Sequence, residues 1–440
     1  MKFLLSLLAA VCTIAGDARA AEKPHIVFVL SDDLGPSDLG CYGGMGAKTP
    51  NIDRLAQGGT RFTRYYSASP ICSPSRCGLI TGNFPAQWKI TSYLQTRAGN
   101  RACEQDDFLD PKAPSLPRTL KAAGYATAHV GKWHLGGGRD VDNPPKFAAY
   151  GYDEGFATWE SPEPHPDITA TNWIWSAKDR VKRWERNAFF VDKTLDFMAR
   201  HKDQPCFVNL WLDDPHTPWV PDAEVPEKGE RQNNPERLSR VLADMDRQFG
   251  RLMDALPENT LLIFASDNGP LPTFKAQRSL GLRGSKLSLY EGGIRLPFIA
   301  RWPGHISKGH VDDTTILSAV DLLPTFCAIT GAALPSDAKP DGQDMSGALL
   351  GKSIERKRPL FWEYGRNPKS FAYAPGRDRS PSIAMRKGAW KLLVNADGTG
   401  VELYDVVADP NETKNSKDAE PKLATELTES ALTWFRSVTK

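Results

Sequence analysis

The chain has 440 residues, 40% of them hydrophobic and 25% charged, with a formal net charge of +2 at pH 7. That length exceeds one small domain and predicts a large α/β body followed by a smaller unit, and the composition excludes a disordered or fibrous chain. A charge so near zero gives no electrostatic case for a nucleic-acid partner or a membrane surface, and no internal apolar run is long enough to span a bilayer.

At the N-terminus Lys2 precedes an apolar run over residues 3–14, and Ala18-Arg19-Ala20 has the Ala-x-Ala form of a cleavage site. Residues 1–20 therefore read as a signal peptide, with a mature chain starting near Ala21 that is periplasmic or secreted. Lipidation at Cys12 is disfavoured, because Val11 is larger than the residue such anchors place there. Cys41, Cys72, Cys77, Cys103, Cys206 and Cys327 remain after cleavage, at the spacing of neither a disulfide framework nor a zinc site. A Cys72–Cys77 bridge is geometrically unfavourable, since the two lie nearly a turn and a half apart on a helix.

Four short apolar runs end in polar residues. Residues 25–30 precede Ser31-Asp32-Asp33, and 127–130 precede Gly131-Lys132-Trp133-His134. Residues 206–212 precede Asp213-Asp214-Pro215-His216, and 261–265 precede Ser266-Asp267-Asn268-Gly269. Near-continuous apolar runs fit strands covered on both faces. Helical patterns at 50–57, 115–123, 187–200 and 236–256 lie between or beside them. The alternation predicts a large, mainly parallel sheet sandwiched by helices, and such sheets bind ligands beyond the carboxyl ends of their strands. The four polar clusters are therefore expected to converge. Past about Asp341 the pattern changes: 386–394 and 401–406 read as antiparallel strands around Asp397-Gly398-Thr399-Gly400. Residues 422–435 read as a closing helix and 366–381 as a long surface loop. The expected division is a catalytic α/β domain over 21–340 and a C-terminal subdomain, an antiparallel sheet plus helix, over 341–440.

Asp32-Asp33 and Asp267-Asn268 supply hard oxygen donors of the kind that calcium or magnesium takes. Zinc is disfavoured, as no histidine accompanies them at ligand spacing. Alone, either pair is more often a turn or a helix cap. The run from Cys72 to Gly82, Cys-Ser-Pro-Ser-Arg-Cys-Gly-Leu-Ile-Thr-Gly, reads as a loop entering a helix. Pro74 fits its first turn. The free N–H groups there favour an anion, and Arg76 adds a charge and a hydrogen-bonding fork.

That run resembles the signature of type I sulfatases, Cys-x-Pro-Ser-Arg-x-x-Leu-x-Thr-Gly, at every fixed position. The segment Gly131-Lys132-Trp133-His134-Leu135-Gly136 resembles the family's second signature without a mismatch. Pro215-His216 resembles its proline–histidine pair, and Lys286, ahead of Tyr290-Glu291-Gly292-Gly293-Ile294-Arg295-Leu296-Pro297, its second sulfate-binding lysine. Thr49-Pro50-Asn51-Ile52-Asp53-Arg54-Leu55, Leu403-Tyr404-Asp405 and Asp409-Pro410 extend the resemblance over almost the whole mature chain. It implies an alkaline-phosphatase-like fold and hydrolysis of sulfate esters. It also implies a formylglycine made from Cys72 by a maturation enzyme, whose hydrated aldehyde is the nucleophile. A divalent ion, calcium ahead of magnesium, would sit on Asp32, Asp33, Asp267, Asn268 and residue 72. Lys132 and Lys286 would hold the sulfate, joined by His216, with Arg76 adding to the positive field. Asp267 would act as base for the attack, His216 or Lys286 would protonate the leaving alcohol, and His134 would take the proton whose loss expels sulfate.

For the substrate, Trp159, Trp173, Trp175 and Trp184 crowd between the Lys132 and His216 clusters with His165 and the basic stretch 178–186. Such a set suits a sulfated sugar, although most tryptophans are core. Arg366, Lys369, Tyr373 and Arg377 on the late loop are placed to close over the pocket. A sulfated saccharide is the expected partner, on family analogy. Two other readings stay open: a phosphate mono- or diesterase of the same superfamily, and a non-catalytic binder of sulfated glycans in which Cys72 stays a thiol.

Overall fold

The computed structural model describes residues 23–44, 48–169, 179–223, 234–366 and 376–439. The expected signal peptide, Trp173, Trp175, Lys178, Lys369 and Tyr373 lie outside them. The large sheet is built from β1 (His25–Ser31), β2 (Thr60–Tyr66), β3 (Ala126–Gly131), β4 (Glu154–Ala157), β5 (Cys206–Trp211), β6 (Thr260–Ser266), β7 (Arg295–Arg301), β8 (His310–Asp312) and β9 (Leu317–Ser318). Its order is β4-β3-β5-β1-β6-β7-β2-β8, with β9 also paired to β2. The first five of these run parallel, β7 is antiparallel to both its neighbours, and β8 and β9 are parallel to β2. The expected mixed, mainly parallel sheet is thus the one observed.

Alternate residues of β1 enter opposite cores, which is why the strand reads as a continuous apolar run. Ile26, Phe28 and Leu30 face one cluster, with α2 (Cys72–Thr81), α4 (Leu116–Ala122) and α8 (Leu322–Thr330) supplying Leu79, Leu120 and Phe326. Val27 and Val29 face the other, with α1 (Pro50–Gly58), α5 (Arg186–Arg200) and α6 (Pro235–Ala255) supplying Ile52, Phe190 and Met245. The short helices α3 (Arg97–Ala102), α7 (Glu291–Ile294) and α9 (Ser346–Leu349) lie in the connections.

The second sheet, β10 (Leu360–Glu363), β11 (Ile383–Lys387), β12 (Trp390–Val394) and β13 (Glu402–Asp405), is antiparallel throughout. It packs with α10 (Pro421–Val438), and its Leu392 and Leu403 join the first cluster, so both sheets share one core. The single strand expected over 386–394 is in fact β11 and β12, joined by a turn at Gly388, whose φ of +59° only glycine adopts freely. Strands β2 and β7 escaped the pattern because each carries outward-facing arginines, and β7 also holds Pro297. All six cysteines described are free. Among the described residues no helix is long and apolar enough to cross a membrane.

Candidate active site

Strands β1 and β6 are parallel neighbours with Ser31 opposite Ser266. The next residues, Asp32-Asp33 and Asp267-Asn268, therefore leave the sheet side by side. Asp33, at φ +62°, turns the chain there, and its N–H donates to Asp267 Oδ1 at 3.3 Å. From the other side of β1, β3 delivers Lys132 and β5 delivers the 213–216 loop. Gly131 makes the first turn possible: its φ is +103°, and a Cβ would lie 1.9 Å from the Trp211 carbonyl oxygen. Helix α2 is buried along its length and points its first residue, Cys72, into the same space.

These elements bring together Asp32, Asp33, Cys72, Arg76, Lys132, His216, Asp267, Asn268 and Lys286. Lys286 Nζ lies 2.7 and 2.9 Å from the two oxygens of Asp33 and 3.7 Å from the Cys72 sulfur. Lys132 pairs with Asp32, whose Oδ1 is 3.8 Å from that sulfur. One ligand atom each of Asp32, Asp33, Cys72 and His216 fall within 4.8 Å of one another. Arg76 does not point at open space. Its Nη2 reaches Asp267 at 2.8 Å and Asp32 at 3.3 Å, Nη1 donates to the Lys132 carbonyl at 2.8 Å, and the guanidinium lies over Trp211.

Three buried cations, Arg76, Lys132 and Lys286, face three buried carboxylates, Asp32, Asp33 and Asp267. Burial alone would push Asp32 up, but Lys132, with His216, Arg76 and Lys286, holds it well below the carboxylate range. Burial and the charge of Asp32 push Asp267 up to about 6, against Arg76 and Lys132. Burial pushes the Cys72 thiol up to about 12, against the pull of Lys132 and Lys286. Burial lowers His216 to about 4. Its Nδ1 lies 2.6 Å from the Thr217 carbonyl, which only accepts, so the neutral ring carries its proton on Nδ1 and turns a lone pair on Nε2 toward Asp33, 3.6 Å away.

The donors fit a hard divalent cation. Three carboxylates converge, and Asn268 gives its amide N–H to Asp33 at 2.7 Å while its Oδ1 is buried and accepts no hydrogen bond. A buried amide oxygen left without a hydrogen bond, on a side chain seated against a carboxylate, is a calcium or magnesium ligand by type. With such an ion the site carries surplus positive charge, as an anionic substrate requires.

His134 lies at the edge of this cluster, its Nε2 3.1 Å from the Leu94 carbonyl and 3.3 Å from Glu160. Sequence reasoning missed Glu160, and also the buried pairs Arg183–Asp214 and Arg186–Asp213, at 2.5 and 2.6 Å, that brace the His216 loop. These pairs join residues 27 to 31 positions apart, and no local pattern announces them. They also correct the role suggested for 178–186: Arg183 and Arg186 are occupied inside the protein, so neither seats a sugar. His165 packs against Phe156 and Phe189 rather than facing the site. Arg366 pairs with Glu363 of β10 and lies over Phe435.

A parallel-sheet α/β sandwich with acidic metal donors and buried lysines at its strand ends defines a hydrolase of anionic esters. Comparison with known proteins makes the class specific. Residues 24–332 match the Sulfatase family model, and residues 285–433 match that of the N-sulphoglucosamine sulphohydrolase C-terminal region. The N-acetylgalactosamine-6-O-sulfatase of Bacteroides thetaiotaomicron is 28% identical over 97% of both chains. The human N-acetylgalactosamine-6-sulfatase is 33% identical over 80% of this chain and 70% of its own. Human arylsulfatase A is 31% identical over 90% and 79%. Among solved structures, Ps i-CgsB in complex with k-i-k-neocarrahexaose superposes with a TM-score of 0.76 at 26% identity, over 94% of this chain and 93% of that one. The chain belongs to the sulfatase family and is a sulfuric ester hydrolase. That family generally uses a formylglycine and a divalent metal.

Proposed function

We propose that this protein is an exported sulfatase acting on a sulfated carbohydrate, with a nucleophile made from Cys72 and a calcium ion beside it. The observation that carries the reading is the placement of Cys72. It opens a buried helix, with its sulfur 3.7 Å from Lys286 Nζ and 3.8 Å from Asp32 Oδ1. A formylglycine there supplies a hydrated aldehyde as nucleophile, and the divalent ion supplies a Lewis acid. The remaining work falls to side chains. Lys132 and Lys286 neutralise the nonbridging sulfate oxygens, and Arg76 holds Asp32 and Asp267 in place. Asp267, whose Oδ2 accepts from Nε and Nη2 of Arg76 at 3.0 and 2.8 Å, is the candidate base for the attack. Lys286 carries transferable protons for the departing alcohol, whereas His216 presents a lone pair on Nε2 and must first gain a proton to serve. The apolar N-terminal run and its Ala-x-Ala site support export. The names of the galactosamine-6-sulfatase relatives make a 6-sulfated N-acetylgalactosamine saccharide the first substrate to test.

The test is the mass of the tryptic peptide spanning residues 65–76, from protein purified from its own source, together with turnover of that saccharide and of matched phosphate esters. We expect a loss of about 18 Da at Cys72, with sulfate released and the phosphate esters left intact. An unshifted peptide in active protein removes the nucleophile, and preferential cleavage of phosphate esters removes the substrate class.

A further inference from the structure

The chain leaving β3 reaches His134 in the left-handed region, at φ +56°, a conformation that disfavours any residue with a Cβ by roughly 1 kcal/mol. Something must hold it there: the Glu160 carbonyl takes the backbone, and the Leu94 carbonyl takes the ring, with the Glu160 carboxylate alongside. The His134 N–H donates to the Glu160 carbonyl at 3.1 Å, and its ring Nε2 lies 3.3 Å from Glu160 Oε2. The Leu94 carbonyl lies on the same ring nitrogen at 3.1 Å. The other oxygen of Glu160 takes Nε and Nη2 of Arg139, both at 2.8 Å, an arrangement that calls for the ionised carboxylate. Glu160 is itself buried, with 4% of its side chain exposed.

Both neighbours of Nε2 are acceptors, a carbonyl and a carboxylate. The ring proton must therefore sit on Nε2, leaving the lone pair on Nδ1, which points away from them. Burial, followed by the charges of Lys132, Arg76 and Arg139, holds the imidazole neutral at neutral pH. His134 is thus a ring with one fixed tautomer and one basic nitrogen.

We propose that Glu160 is a positioning residue: beside the Leu94 carbonyl, which takes the Nε2–H bond, its carboxylate reinforces that tautomer of His134 and steadies the imidazolium formed when Nδ1 accepts a proton from a hydroxyl in the site. The proton moves from oxygen to Nδ1, the O–H electron pair stays on oxygen, and the ring later returns the proton to water. The identity of that hydroxyl rests on the formylglycine reading above, but the orientation of the ring does not.

The test uses protein whose Cys72 is left as a thiol, as wild type and as Glu160→Gln and Glu160→Ala, with His134→Gln to assign the signals. Long-range 1H–15N spectra should show the Nε2–H tautomer for wild-type His134. In Glu160→Gln the shape is kept, but Arg139 claims the one amide oxygen and turns the NH2 toward Nε2, so the signal should move toward the Nδ1–H form. In Glu160→Ala the Leu94 carbonyl remains, so the Nε2–H form should stay in the majority with the Nδ1–H form appearing beside it; if that variant does not fold, the isosteric one still decides. In matured enzyme each variant should lose roughly 10- to 100-fold in kcat, with sulfate release slowed more than alcohol release, so that the alcohol appears in a burst. An unchanged tautomer, or a shifted tautomer with wild-type kcat, overturns the proposal. A failure of the formylglycine reading shows itself separately, as an unshifted peptide mass in active wild-type protein with the tautomer result intact.

Discussion

Lys286 Nζ stands 2.7 Å from Asp33 Oδ1 and 3.7 Å from the Cys72 sulfur, so one buried ammonium bridges a metal-type carboxylate and the residue expected to become the nucleophile. Asp33 keeps that lysine charged despite burial. Removing the charge while keeping the shape, as in Lys286→Met, should lower kcat/KM for an aryl sulfate by roughly 100- to 1,000-fold. Lys286→Arg should not restore it, because a planar guanidinium does not fit a pocket shaped for an ammonium with 2% exposure. Steady-state kinetics, with melting curves to show that both variants fold, decide this. Near-normal kcat/KM in Lys286→Met would remove the lysine from the site's chemistry.

Asn268 donates its amide N–H to Asp33 at 2.7 Å and keeps its own amide oxygen buried without a hydrogen bond. Stripping divalent ions with a chelator should therefore abolish turnover and lower Tm, because an ion bound only to the folded chain stabilises it by about 2.7 kcal/mol at a hundred times its Kd. Calcium should restore both at lower concentration than magnesium, and Asn268→Ala should raise the calcium needed. Full activity in exhaustively chelated protein would contradict the metal reading.

What could be read from the sequence, and what could not, follows from the range of the forces involved. The ends of β1, β3, β5 and β6 were visible because a strand buried on both faces is a near-continuous apolar run, and each run stops where polar residues gather. Convergence of Asp32, Lys132, His216 and Asp267 then followed from parallel topology alone. By contrast, β2 hides behind Arg61 and Arg64, and the turn at Gly388 sits inside an apolar stretch that reads as one strand. Glu160, Arg183 and Arg186 escaped for a different reason: each acts through a partner set by the packing of separate loops, and an isolated glutamate or arginine looks solvated.

Arg183 and Asp214 lie 2.5 Å apart with 2% and 6% of their side chains exposed, and Asn187 gives Asp214 a second bond at 2.7 Å. Burial and the neighbouring Asp213 raise the Asp214 carboxyl, which depends on Arg183 for its charge. Arg183→Met should thus destabilise the protein by about 3–5 kcal/mol, since it strands a buried carboxylate. The double variant Arg183→Met/Asp214→Leu should be less destabilised than that single one. Urea titration of the four proteins of this cycle measures the difference, and simple additivity would show that the pair does not brace the His216 loop.

Where the second sheet meets the first, Lys391 Nζ lies 3.0 Å from both Glu291 and Glu412, and all three side chains are buried. Glu291 has further support from Tyr66 and Arg295, at 2.6 and 3.7 Å, whereas among the described residues Glu412 is held by Lys391 and the amide of Glu291. Burial, beyond what Lys391 offsets, pushes Glu412 up to about 7. An unfolded glutamate titrates near about 4.3. Between those values the folded chain binds more protons than the unfolded one, so stability falls as pH rises through the window and levels off above it. The slope is at most about 1.4 kcal/mol per pH unit. Glu291 is held low, so its own titration falls below this window. Glu412→Gln keeps an acceptor for the Glu291 amide and removes the titration, so wild-type Tm should decline from pH 5 to pH 7.5 relative to the variant. Parallel melting curves across that range would place the buried proton elsewhere if the two proteins kept a constant difference.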